Sequence, residues 1–155
     1  MQNPKNTLIE KSFSVFGLQT RTKNIDERDY AKSKIIPLWS KFKESDLMSY
    51  IDEGQPFVYG VYSDYDSDHN GFYSVTAGIN NNKLNTHESL HEVIIQPGHY
   101  LVFEANGNQP EAIINTWKYI WNYFSDSTHP PRIHSTDFEK YISDQKMEIY
   151  IAVAD

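Results

Sequence analysis

The sequence predicts an α+β fold of two duplicated β-α-β-β units with pseudo-two-fold symmetry, antiparallel sheets, helices outside and a central cleft. Three observations carry this reading. The order strand, helix, strand, strand occurs twice along the 155 residues, over roughly 8–80 and 93–155. Both helical segments repeat apolar residues at helical spacing, whereas the strands alternate or run continuously apolar. The run Tyr59-Gly60-Val61-Tyr62 stands in the first half where Phe138-Glu139-Lys140-Tyr141 stands in the second. That equivalence puts Tyr62 on the same side as Tyr141, and Gly60 opposite the Glu139 position.

The elements follow in order. Residues 1–12 are polar, lack an apolar leader run and offer no helix-turn-helix. Phe13 to Thr22 reads as a strand. Tyr30 to Lys43 reads as a helix, with Ile35, Leu38, Trp39 and Phe42 on one stripe. Pro37 either kinks that helix or marks its true first turn. Phe57–Tyr62 and Phe72–Ile79 read as strands joined through Asn70-Gly71, a hairpin dipeptide. Residues 80–92 form a polar, Asn-rich connection. Val93–Ile95 and Tyr100–Ala105 are strand-like around Pro97-Gly98. Pro110 to Phe124 is the clearest helix, with Ile113, Ile114, Trp117, Ile120, Trp121 and Phe124 on its apolar stripe.

Two strands close the chain, Asp137–Ile142 and Met147–Val153. Alternation puts Glu139 and Tyr141 on one face of the first, and Glu148 and Tyr150 on one face of the second. If the strands pair as a hairpin, one face is apolar and the other carries two acids between two phenols. Such a surface suits a flat, positively charged molecule.

Composition bounds the rest. The length suits a single domain spanning residues 1–155, and 39% hydrophobic with 23% charged residues describes a globular chain. There is no cysteine, so neither disulfides nor thiolate metal sites can form. The formal charge of −7 repels phosphate backbones, which argues against direct nucleic-acid binding and for cationic partners. No apolar run is long enough to span a bilayer, so no membrane partner is expected and a cytoplasmic location is the default expectation. Eleven Tyr, eight Phe and three Trp supply half-polar surface for recognition.

Two short motifs compete for a metal. His87-Glu88-Ser89-Leu90-His91 matches H-E-x-x-H, which on a helix places two zinc-binding His on one face. The segment has room for about two turns and no third ligand is identifiable. A zinc peptidase is therefore the weakest of the functional alternatives, and no metal or cofactor is expected. Asp66-Ser67-Asp68-His69-Asn70-Gly71 begins like a calcium loop, but Ala77 occupies the twelfth position where a bidentate Glu is required. His129 and His134 flank Pro130-Pro131 with no evident partner.

Beyond these readings, the chain resembles a known family. Tyr100-Leu101-Val102-Phe103-Glu104-Ala105-Asn106-Gly107, then Pro110, Ile114, Trp117 and Ile120, then Phe138-Glu139-x-Tyr141, then Glu148-Ile149-Tyr150-Ile151-x-Val153 resemble the GyrI-like effector-binding domain. That domain is also the drug-sensing part of multidrug-responsive transcription regulators. Ile36, Leu38 and Trp39, with Tyr59-Gly60-Val61-Tyr62, agree in the first half. Ala152 departs from the family, which often has Pro there. The resemblance implies a stand-alone domain whose cleft binds amphipathic, often cationic aromatic compounds, as a sensor or a sequestering protein. It assigns ligand contact to Glu139, Tyr141, Glu148, Tyr150, Tyr62 and Trp39. A cleft hydrolase of strained electrophilic toxins, with Glu139 as base, and a gyrase-interacting inhibitor or protector are the alternatives it suggests. The helical stripes place Trp39 and Trp117 in the core, with Trp39 reaching the cleft rim at most.

Overall fold

In the computed structural model, which describes residues 3–155, eight antiparallel strands form one sheet in the order β1-β6-β8-β7-β3-β4-β2-β5. The strands are β1 (Lys5–Ile9), β2 (Phe13–Thr22), β3 (Val58–Ser63), β4 (Tyr73–Ile79), β5 (His91–Ile95), β6 (Gly98–Glu104), β7 (Asp137–Ser143) and β8 (Lys146–Ala152). Helices α1 (Asn24–Glu27), α2 (Ile35–Glu44) and α3 (Glu111–Phe124) complete the fold, with two 3-10 turns at Leu47–Tyr50 and Asn82–Thr86. The duplication is visible as β2-α2-β3-β4 and β6-α3-β7-β8. The two halves are continuous through β3 and β7, which pair at the centre.

Edge strands are exchanged between the halves. β1 leads into β2 but pairs with β6, and β5 leads into β6 but pairs with β2. Linked strands therefore lie six strand intervals apart, about 29 Å on a flat sheet. The three residues between β1 and β2, and the two between β5 and β6, reach less than about 15 Å. The sheet has to curl. Ile9 of β1 and Val93 and Ile95 of β5 accordingly join one inner cluster with Val15, Tyr59, Val61, Tyr100 and Phe138.

The helices cover the outer face. α2 lays Leu38 and Phe42 on Phe16, Val75, Ala77 and Ile79. α3 lays Ile120 on Leu101, Phe103, Ile149 and Ile151. Both faces of the central strands are thus buried: β4 is buried along its whole length, with the small Ser74, Thr76 and Gly78 alternating with Tyr73, Val75, Ala77 and Ile79.

The helix expected over Tyr30–Lys43 begins only at Ile35. Pro37 is its third residue, within the first turn, where the missing N–H is not needed by the helix. The Glu27 carboxylate fixes the start, accepting the N–H of Lys34 at 2.9 Å and of Ile35 at 3.2 Å. Strand β1 has no counterpart in the sequence reading. Its short, polar pattern is that of an edge strand, which buries little. His87 closes a 3-10 turn and His91 opens β5, so the H-E-x-x-H residues do not share a helix face. The aspartates of the calcium-like segment serve the β3–β4 loop instead, Asp68 capping the Asn70 N–H and Asp66 pairing with Arg21. No helix among the described residues is long and apolar enough to cross a membrane.

Candidate functional site

The central pairing of β3 with β7 sets Gly60 directly opposite Glu139. The same two residues are equivalent under the duplication, so both lie on the pseudo-two-fold axis. Glycine gives room there. A Cβ on it would stand 2.9 Å from Glu139 Oε1 and 2.9 Å from Trp39 Cζ2. The glycine leaves the space into which one acid and one indole fold.

Glu139 is only 4% exposed, yet it pairs with no cation among the described residues. Three neutral groups donate to it. Tyr62 OH and Trp117 Nε1 each reach Oε2 at 2.8 Å, and Tyr141 OH reaches Oε1 at 2.7 Å. Burial raises its pKa, and the bonds from Tyr141, Trp117 and Tyr62 offset this in part. The phenols of Tyr62 and Tyr141 are pushed well up, first by burial and then by the adjacent Glu139 charge. They remain hydrogen-bond donors at any ordinary pH.

The aromatic walls exchange partners as the edge strands do. Tyr62 packs edge-on against Trp117 of the other half's helix, with ring centroids 5.3 Å apart. Tyr141 packs on Trp39 of the first half's helix, also at 5.3 Å. Above this frame, between α2 and α3, lies a cleft of about 850 Å³. Trp39, Tyr62, Trp117, Glu139 and Tyr141 line it, and Ile36, Met48 and Ile113 form apolar wall. That volume suits a drug-sized guest.

Glu139, Tyr141, Tyr62 and Trp39 are therefore brought together. Glu148 and Tyr150 are not. The register of β7 with β8 pairs Glu139 with Ile149 and Tyr141 with Met147, which corrects the expected single face of two acids and two phenols. The cause is a β-bulge between Tyr141 and Ser143. At the turn, Ser143 faces Lys146. An unbroken ladder from that pair would set Tyr141 against Glu148 and Glu139 against Tyr150. The extra residue slips the register by one and sends Glu148 and Tyr150 to the opposite face. Tyr150 stacks on Phe138 in the inner cluster at 4.4 Å, and its hydroxyl donates to Glu148.

Trp117 is the cleft residue that the sequence reading missed. Its stripe position said core, and the ring does pack, but its N–H ends on Glu139. Its near equivalence to Trp39 under the duplication was the available signal. A second buried acid also went unnoticed. Asp137 is fully buried and accepts from Tyr65 OH at 2.6 Å, Arg132 Nη2 at 2.8 Å and the Ala152 N–H at 2.8 Å. A proline in place of Ala152 would lack that N–H. The two histidines without evident partners have them: His134 hydrogen-bonds His69 at 3.3 Å, and His129 stacks on Tyr123.

Comparison with known proteins places this architecture. The Cass2 family, described as integron-associated effector binding protein, matches residues 9–153. The fold superposes on an integron cassette protein from the mobile metagenome of Vibrio cholerae with a TM-score of 0.87 and 33% identity, over 99% of this chain and 97% of that one. The Bacillus subtilis (strain 168) protein YobU, named as a candidate transcriptional regulator, is 28% identical over 147 residues, 88% of this chain and 89% of its own. A structure of SAV2435 bound to tetraphenylphosphonium shares the fold at a TM-score of 0.79 with 17% identity, over 99% and 94% of the two chains.

Proposed function

The chain belongs to the integron-associated effector-binding family, whose fold is GyrI-like, and from that membership we propose that it binds amphipathic aromatic cations in the cleft over Glu139. The observation that carries the reading is a buried carboxylate without a cationic partner among the described residues, set in a cage of Tyr62, Tyr141, Trp39 and Trp117. Burying an acid this way costs free energy that a bound cation returns. Each aromatic face adds cation–π attraction of about 0.5–2 kcal/mol. Recognition then rests on charge and flatness, not on a fixed hydrogen-bond template, which suits a range of guests. The ligand of SAV2435, a phosphonium cation surrounded by four phenyl rings, shares the positive charge and the aromatic surface, though it is tetrahedral and not flat. We read the protein's role as sensing or sequestering such compounds, and the regulator name of YobU accords with sensing.

The test is calorimetric titration of tetraphenylphosphonium into wild type and Glu139→Gln. The variant should bind at least about tenfold more weakly, a loss of about 1.4 kcal/mol. Tetraphenylborate, with similar shape and opposite charge, should not discriminate in that direction. Equal affinity of the two proteins for the cation would reject the reading.

A further inference from the structure

A second cavity, of about 380 Å³, adjoins the Glu139 cleft and shares Ile35, Tyr62, Ile114 and Trp117 with it. Its chemistry is opposite to that of the Glu139 cleft. The body is aromatic, from Tyr65, Tyr73 and Trp121. The charged groups are Arg132 at depth, Arg28 and Lys118 at the exposed rim, and Glu27.

The acids nearby are already satisfied. Glu27 accepts from Thr22 Oγ1, Ser33 Oγ and the N–H groups of Lys34 and Ile35. Asp137, behind the cavity, accepts three bonds from Tyr65, Arg132 and Ala152. Donor capacity remains. The Arg132 side chain is 5% exposed, and its Nη2 is engaged with Asp137, but its Nε–H has no hydrogen-bond partner among the described residues. The Nε itself is closed to the cavity, so the donors a guest oxygen can meet are the remaining N–H groups of the guanidinium fork, those of Nη1 above all. Burial first and the Arg132 charge second hold the pKa values of His69 and His134 below the usual imidazole range, against the opposing pull of Asp68 and Asp137.

We infer that this cavity is a second ligand subsite, taking a flat aromatic carboxylate whose ring lies among Tyr65, Tyr73, Trp117 and Trp121 and whose oxygens face Arg132. Lys118 and Arg28 at the rim steer the anion in. The site does not depend on the Glu139 reading. If both hold, an aromatic molecule with an amine at one end and a carboxylate at the other has a place for each end in the two adjoining concavities.

The probe is 2-naphthoate, titrated calorimetrically into the whole chain, with 2-naphthamide as the uncharged control. The acid should bind at least tenfold more tightly than the amide. Arg132→Lys, which keeps the charge beside Asp137 but removes the guanidinium fork, should weaken naphthoate about tenfold. Lys118→Ala, at an exposed position that leaves the core intact, should weaken it severalfold. Acid and amide of equal affinity would overturn the inference, as would naphthoate binding undiminished in both Arg132→Lys and Lys118→Ala. Tetraphenylphosphonium affinity should survive Arg132→Lys, so failure of the cation site and failure of this one give different results.

Discussion

Glu139 carries opposite consequences for binding and for stability, and both can be read from pH. Burial raises the carboxyl's pKa above its ordinary value, so the folded protein favours the protonated acid. That preference stabilises the fold fully below the ordinary carboxylate range and is lost as pH rises through the Glu139 titration. Glu139→Gln, which is permanently neutral, should therefore melt at or above the wild-type temperature at pH 8. The difference should vanish as pH falls below 4. Thermal melts across that range test it, and a variant less stable at pH 8 than at pH 4 relative to wild type would contradict it. Cation binding should run the other way. Affinity for tetraphenylphosphonium should rise with pH as Glu139 ionises, and should stay flat in the variant. The partner glycine is the second residue-scale determinant. Gly60→Ala sets a methyl against Glu139 Oε1 and the Trp39 ring, which Phe42 and Tyr141 hold in place. A loss of about 1–3 kcal/mol by urea denaturation is expected, together with weaker cation binding.

Among the elements, α2 shows how a distant side chain sets a boundary. Its start lacks a side-chain cap from the preceding residue, and Glu27 fills that role from seven residues upstream. Burial raises the Glu27 pKa, but the bonds from the Lys34 N–H, Thr22, Ser33 and the Ile35 N–H outweigh it and hold the carboxyl below its ordinary value. Its contribution is therefore present above the ordinary carboxylate pKa and lost as pH falls through its lowered one. Glu27→Gln should cost about 1 kcal/mol at pH 7, a typical cap value. The gap should close in acid, which denaturant midpoints at pH 7 and pH 3 would show. The β7–β8 hairpin gives the complementary lesson. One bulged residue decides which of two acids serves the cleft.

Curvature of the whole sheet follows from exchanging its edge strands, and close backbone approach makes the curl possible. Gly17 pairs with Gly78 on one side and His91 on the other, at the point where β2 serves both β4 and β5. A Cβ at Gly17 would run into the Ala77 carbonyl oxygen. Gly17→Ala should destabilise the molecule by more than about 3 kcal/mol, seen as a lowered urea midpoint or loss of soluble protein. Curling the sheet in this way leaves α2 and α3 on the outside, flanking the central seam. The cleft is thus a property of the curled whole and not of either half.

By itself the sequence determined the duplicated β-α-β-β units and their two covering helices. Alternation, helical stripes and the Asn70-Gly71 turn are local patterns, and their repetition exposed the duplication and the Gly60–Glu139 equivalence. Only the tertiary structure decided which face each end strand presents and which indole donates to the acid. It alone brought Arg132, Asp137, Tyr65 and the two histidines together. Strand register depends on a single bulged residue that period-two counting does not reveal. A helical stripe reports that a side chain is buried but not where its one polar atom ends, because that atom's partner comes from an element tens of residues away.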